Sequence, residues 1–341
     1  MREHLFTRAT FMQHLRLAGF ASCHLIILGL FQPVASQSFP LTLNHEFGQT
    51  TLERPPERIV SISFIGHDFL LALGVVPIGL RKWYGPDASG VWVWAQDALG
   101  SATPFVMQGE IDIEQIALLK PDLIEAQWSG MTEKEYRLLS VIAPTLGPVE
   151  GAGPYGSSWE DMTRRLGQAT GRAGVAEGII AALETRFADL RAAHPAWQGA
   201  TATMAWSGSM GAYTSKDLRG KFLESLGFKV PDALNAMAAG NAYYVSIPAE
   251  DYALIDLDVL VWLDTGGSVE KLRDLPLRFT MRAYREGREV YADPLLSAAL
   301  SHSSPLSLGY ALDRMVPLFV DAVDGDPATP VASTQEVGLA P

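Results

Sequence analysis

Residues 81–100 read RKWYGPDASGVWVWAQDALG and place Trp83, Tyr84, Trp92 and Trp94 within twelve positions. Four large rings in a loop bounded by Gly, Pro and Asp are more than that loop needs for its own packing. Loops at strand ends in α/β folds are where ligands sit, so the four rings read as a wall for an organic ligand. Trp128, Tyr213 and Tyr243 lie in or beside other predicted loops and extend the wall to both halves of the chain. Rings of this size carry much of the energy at buried contact points.

Covalent chemistry has one candidate. Ser207-Gly208-Ser209-Met210-Gly211 is one residue off the G-x-S-x-G nucleophile motif, and Asp256 or Asp293 and then His302 follow in the chain order of α/β-hydrolases. That motif needs a strand, a sharp turn and an immediate helix. Here AYTSKD intervenes before any helix, and no glycine precedes the serine at the required place. A serine hydrolase using Ser209 and His302 is therefore the weaker reading; the chain reads as a binding protein, not an enzyme, with no catalytic residue. After residue 36 the chain holds His45, His67, His194 and His302 and no cysteine. A carrier of bare zinc or manganese wants about three His plus a carboxylate at one point. His67 and His302 can face one another, but the sequence offers no third His, so no metal site is assigned. Haem needs only one axial His or Tyr.

What positions these residues is a pair of echoing halves around one rod. Gly171 to Pro195 places Val175, Ile179, Ile180, Leu183, Phe187 and Leu190 at three- and four-residue steps, one face of a helix. His194-Pro195 supplies its stop. Before it stand HDFLLALGVVPIGL and IDIEQIALLKPDLIEA; after it stand KFLESLGFKV and PAEDYALIDLDVLVW. Each half repeats a helix ending in Leu-Gly before a strand, then an acidic-started helix, then a buried strand. The expected fold class is α/β: two similar lobes, each a mostly parallel sheet flanked by helices, joined by one long linking helix. The expected boundaries are 37–165 for the first lobe, 166–195 for the linking helix and 196–323 for the second lobe.

The two ends read differently. Arg2, Arg8 and Arg16, the apolar run from Leu17 to Phe31 and the small residues of Pro33-Val34-Ala35-Ser36 read as a cleavable export signal over residues 1–36. Cys23, the chain's one cysteine, falls inside that run. A mature chain without disulfides fits a periplasm. Residues 324–341, DGDPATPVASTQEVGLAP, have the composition of a disordered tail. The first 36 residues hold three Arg and one Glu, so the remainder carries 23 basic against 37 acidic side chains, a net charge of −14. That excludes nucleic acid as a partner, because its binders present clustered Lys and Arg.

Three stretches carry a family resemblance: RIVSI at 58–62, HDFLLALGVVPIGL at 67–80 and EQIALLKPDLI at 114–124. From about Pro55 to about Val323 the chain resembles the periplasmic binding proteins for ferric siderophores, haem and cobalamin. It is most similar to the ferric-hydroxamate branch. The resemblance implies a monomeric substrate-binding component of an ABC importer, which takes a ferric siderophore in the cleft between lobes and passes it to the membrane permease. Haem or cobalamin is the alternative cargo. Iron then arrives as part of the ligand, and no cofactor is implied. The resemblance also makes His302, in the loop before the last helix, a ligand contact. Gln108 stands where the branch has an arginine, with Arg81 or Lys82 as substitutes, which points to a neutral or weakly charged complex. One exposed glutamate per lobe meets the permease in this family, and the matching positions are Glu114 and Glu250.

Overall fold

The structure is a computed structural model that describes residues 38–239, 242–248 and 251–341. The expected signal segment lies outside the described residues. Among those described, no helix is long and apolar enough to cross a membrane.

Among the described residues, twelve strands make three sheets. A hairpin of β1 (Leu41–His45) and β2 (Gly48–Leu52), not foreseen from the sequence, opens the chain and buries Leu43 and Leu52. The first lobe's sheet comprises β3 (Ile59–Ser61), β4 (Gly79–Lys82), β5 (Phe105–Gln108), β6 (Leu123–Glu125) and β7 (Thr145–Leu146). These lie in the order β5-β4-β3-β6-β7, all parallel. The central strands β3 and β6 are buried throughout, as a parallel sheet covered on both faces requires, while edge strand β5 is largely exposed. The second sheet comprises β8 (Ala202–Trp206), β9 (Gly211–Tyr213), β10 (Tyr244–Ser246), β11 (Val259–Leu263) and β12 (Glu289–Ala292), ordered β10-β9-β8-β11-β12. Here β8, β11 and β12 are parallel, while β9 and β10 add an antiparallel edge. The α/β class and the mostly parallel sheets are as expected.

The helix between the lobes is Ala173–Ala193, stopped at His194. Its buried stripe is Ala176, Ile180, Leu183 and Phe187; Val175, expected on that face, is 47% exposed. Ala176 takes its place because the neighbouring helix Trp159–Ala169 comes close there. A Cβ on Gly167 would lie 2.3 Å from that of Ala176.

The expected disordered tail is a correction. Helix Ala332–Glu336 forms, and Val331 and Leu339 are each 1% exposed. Two aliphatic anchors inside an otherwise polar segment decide this, together with a buried guanidinium that needs an acceptor. Arg278 Nη2 donates to Leu339 O at 2.5 Å and to Glu289 Oε2 at 2.6 Å, while Trp262 Nε1 donates to Glu289 Oε1 at 2.8 Å. Tyr291 N of β12 donates to Ser333 Oγ at 3.1 Å, covering the sheet edge.

Deleting residues 331–341 will expose the Arg278–Glu289 pair and remove two buried aliphatic side chains, whose burial alone contributes about 3 kcal/mol or more. The thermal midpoint of the truncated protein is expected to fall by several degrees in calorimetry. An unchanged midpoint would show that the strap contributes nothing.

Candidate functional site

The site begins at the carboxyl edge of the first sheet. There the strand order reverses between β3 and β6, the usual place for a ligand crevice in an open parallel sheet. The backbone at this point is pinned from beneath by Glu125. Its carboxylate is buried and accepts from Ser61 Oγ and Ser63 Oγ, each at 2.7 Å, and from Gln127 N at 2.9 Å. Burial pushes the Glu125 carboxyl up, against the pull of those donors. Ser63 Oγ also accepts from Trp128 N at 2.9 Å, so the strand-end loops carrying Phe64 and Trp128 are fixed to each other.

On that base the rings form one continuous cluster. Trp83 meets Phe64 at 5.6 Å between centroids, Trp128 at 5.3 Å and Tyr84 at 4.8 Å. Tyr84 continues to Trp92 at 5.6 Å, and Trp92 stacks on Trp94 at 5.3 Å with planes 11° apart. His302, from the second lobe, sits among them, 5.3 Å from Trp94, 5.7 Å from Trp83 and 6.0 Å from both Tyr84 and Trp92. It is 1% exposed. Its Nδ1 lies 2.9 Å from Ala298 O, which fixes the ring's orientation. Burial, with His67 as a lesser contributor, lowers the His302 pKa to about 4.

Two guanidiniums flank the rings. Arg81 of β4 is buried, stacks 4.0 Å over the Phe64 ring, and donates to Gly109 O at 2.7 Å and Ser129 O at 3.1 Å. Arg219 of the second lobe is buried, lies 4.1 Å over the Tyr213 ring and pairs with Asp217 at 2.9 Å. Its Nε has no hydrogen-bond partner. At the other end the cluster runs from Trp128 to Tyr155 at 4.7 Å and on to Tyr243 at 6.3 Å. Tyr243 crosses between lobes, its hydroxyl donating to Ala152 O at 3.2 Å, and Lys221 Nζ donates to Gly156 O at 3.1 Å. Beside these contacts an inter-lobe hollow is lined by Ala152, Gly156, Ser215, Lys216, Lys221 and Tyr243.

Of the residues expected from sequence, the structure brings Trp83, Tyr84, Trp92, Trp94, Trp128 and His302 into this one cluster, with Tyr213 and Tyr243 at its margins. Trp128 is buried, its indole Nε1 donating to Tyr155 O at 2.8 Å. Gln108 is not brought in. It is exposed on edge strand β5 and lines an open groove with Glu110, Ile111 and Glu114. Glu114 is exposed in the first turn of helix Ile113–Leu119, and Glu250 lies outside the described residues. The hydrolase alternative is corrected: residues 207–210 form the turn between antiparallel β8 and β9, with no helix behind them. Ser209 is exposed there, its carbonyl accepting from Trp206 Nε1 at 2.7 Å. His67 and His302 do face one another, at 6.4 Å between centroids. Among the described residues, no three of His, Cys, Asp and Glu converge to hold a metal ion. Sequence reading missed Phe64, Asp68, Tyr155 and Arg219. The Tyr213 to Arg219 spacing, a ring and a cation on either side of a helix start, was the one available signal.

A periplasmic binding protein family model matches residues 59–295. The probable siderophore-binding lipoprotein YfiY of Bacillus subtilis (strain 168) is 30% identical over 202 residues, which is 58% of this chain and 59% of that relative's length. The ferric enterobactin-binding periplasmic protein FepB of Escherichia coli O6:H1 is 29% identical over 239 residues, 65% of this chain and 74% of that one. Among solved structures, PiaA of Streptococcus pneumoniae TIGR4 in complex with ferrichrome superposes with a TM-score of 0.72 at 28% identity. That match covers 84% of this chain and 99% of the other. A periplasmic solute binding protein from Mycobacterium smegmatis gives 0.73 at 30% identity, covering 83% and 98%.

The buried imidazole has a pH signature. A histidine whose folded pKa is depressed contributes stability that is present above its unfolded value near 6.5 and lost as pH falls toward about 4. His45, also lowered to about 4 chiefly by burial, shares this window, and burial lowers His67 in the same direction. His302→Gln is expected to lose about 2 to 3 kcal/mol less than wild type between pH 7 and 4.5 in urea unfolding. Parallel losses in the two proteins would mean that His302 does not titrate in this range.

Proposed function

Since this chain belongs to the periplasmic binding protein family, we propose that it captures a ferric siderophore at the ring cluster between its lobes and hands it to an ABC permease after export to the periplasm. The observation that carries this reading is the cluster itself: rings from both lobes, flanked by two buried guanidiniums. A siderophore already satisfies the iron's coordination, so its carrier supplies shape, ring faces and a few placed charges. No bond need be made or broken, and the chain acts as a carrier. The names of the relatives, siderophore and ferric enterobactin binders among them, support the cargo class.

Arg81 and Arg219 favour a negatively charged complex over the neutral or weakly charged one expected when Gln108 was taken as the key position. Both are desolvated, and Arg219 Nε holds a donor with no acceptor inside the protein. A carboxylate or catecholate oxygen would accept from it, and charge-assisted bonds of this kind are roughly twice as strong as neutral ones. Delivery is assigned to Glu114, an exposed acid, and to Glu250, which together would meet basic residues of the permease. Such contacts govern association rate and partner choice.

Quenching of tryptophan fluorescence will rank a panel of ferric enterobactin, ferric citrate, ferrichrome, ferrioxamine B, haem and cobalamin. Expected is a preference of about tenfold or more for the anionic ferric complexes, lost in Arg219→Gln, whose deleted charged hydrogen bond is worth about 1.5 to 3 kcal/mol. Tightest binding to haem or cobalamin would overturn the siderophore reading; tightest binding to ferrichrome would overturn only the charge. In cells that depend on this protein for iron, Glu114→Lys with Glu250→Lys should leave siderophore affinity intact and stop uptake. Normal uptake would place the docking acids elsewhere.

A further inference from the structure

Asp68 stands directly behind the ring cluster and is wholly buried. It lies on the short helix Gly66–Ala72 that follows β3. One of its oxygens, Oδ2, takes two hydrogen bonds from opposite sides. Trp94 Nε1, in the ring cluster, donates to it at 2.6 Å. Ser304 Oγ, in the second lobe and 236 residues away in sequence, donates to it at 2.9 Å.

Ser304 is no ordinary donor. It caps the helix Pro305–Asp324, its Oγ accepting from Ser307 N at 3.1 Å while it donates to Asp68. The positive end of a 20-residue helix therefore points toward a buried carboxylate from the other lobe, the arrangement that helix dipoles favour. The second oxygen, Oδ1, has no hydrogen-bond partner and lies 3.6 Å from His67 Nε2, itself without one. Burying a carboxylate with one oxygen unsatisfied is costly, and nothing in packing requires an ion at this position. Its two directed bonds offset that cost by fixing groups that belong to different lobes.

We propose that Asp68 is the positioning residue that ties the ring cluster of the first lobe to the start of the second lobe's last helix, so that the two sides of the site move as one piece. Trp94 makes the tie tight at its other end as well, packing 5.3 Å from His302 and 5.7 Å from Tyr310, both second-lobe residues. The two lobes are thus set against each other before any ligand arrives, by a carboxylate that touches none of it.

Hydrogen–deuterium exchange of the ligand-free protein tests this without knowledge of the cargo. Asp68→Ala leaves the Ser304 cap on Ser307 intact, so a purely local role would loosen only peptides from 66–73 and 90–99. The tie requires that exchange also rise, about tenfold or more, in peptides from 305–312, because two hydrogen bonds to a charged acceptor are lost. Asp68→Asn keeps an oxygen able to accept both bonds and presents an N–H to His67 Nε2; it should restore near wild-type exchange in all three regions. If Asp68→Ala does not fold, Asp68→Ser, too short to reach both donors, should give the same cross-lobe pattern. Wild-type protection of 305–312 in the alanine or serine variant would overturn the proposal, as would an asparagine variant that exchanges like alanine.

Discussion

His302 is neutral because the rings around it leave no water to support a charge, and the seam between the two sheets depends on that neutrality. The Asp68 carboxylate pulls toward the charged form, but burial outweighs it. The first lobe packs indole and phenol rings around the imidazole, and their bulk keeps solvent from it. The order of the neighbouring elements follows from closing this seam. The loop at 83–94 is ordered by rings rather than by secondary structure, and helices Pro294–His302 and Pro305–Asp324 of the second lobe are fixed where they meet it. Water is excluded from the neighbourhood of Arg81 and Arg219, where electrostatic interactions are strongest.

Charge is distributed with the same economy. The chain as a whole is acidic, with a formal net of −12, yet the groups nearest the rings include two desolvated guanidiniums. Arg219 is held by Asp217 and by the face of Tyr213, and Arg81 by two backbone carbonyls and the face of Phe64. Guanidinium tolerates such burial better than ammonium because it is planar, weakly hydrated and able to stack.

The architecture was largely legible in the sequence, because the signals that encode it are local and repeated. Leu-Gly before a strand, acids at helix starts and an apolar stripe on residues 173–193 each report on a few neighbouring residues. Thr132 with Glu135 caps helix Glu133–Ile142, and Ser304 caps helix Pro305–Asp324, each through residues three apart in sequence. The rings of residues 83–94 were legible too, since four aromatics in one loop have no local use. What escaped was pairwise. Asp68 looks like a helix-start acid until Ser304 is brought against it from the far end of the chain. Arg219 looks like a surface cation until Tyr213 and Asp217 enclose it. Gln108 was chosen by alignment with a family position, yet it falls on an exposed edge strand away from the rings. The tail was misread because composition averages over residues, and two anchors, Val331 and Leu339, are enough to fix eleven.

The crossing of the last helix back onto the first lobe has a consequence for the order in which the molecule is made. The residues of the first sheet can pair once β7 has left the exit, since every strand of that sheet precedes the linking helix. Their ring cluster has no cover at that stage. Trp83, Tyr84, Trp92 and Trp94 wait for His302 and Ser304, which arrive more than two hundred residues later. Until then the half-made protein shows an apolar, aromatic face of the sort that draws chaperones or other unfinished chains. The seam is thus also the molecule's latest-closing joint, and the interval before it closes is when the chain is most open to aggregation.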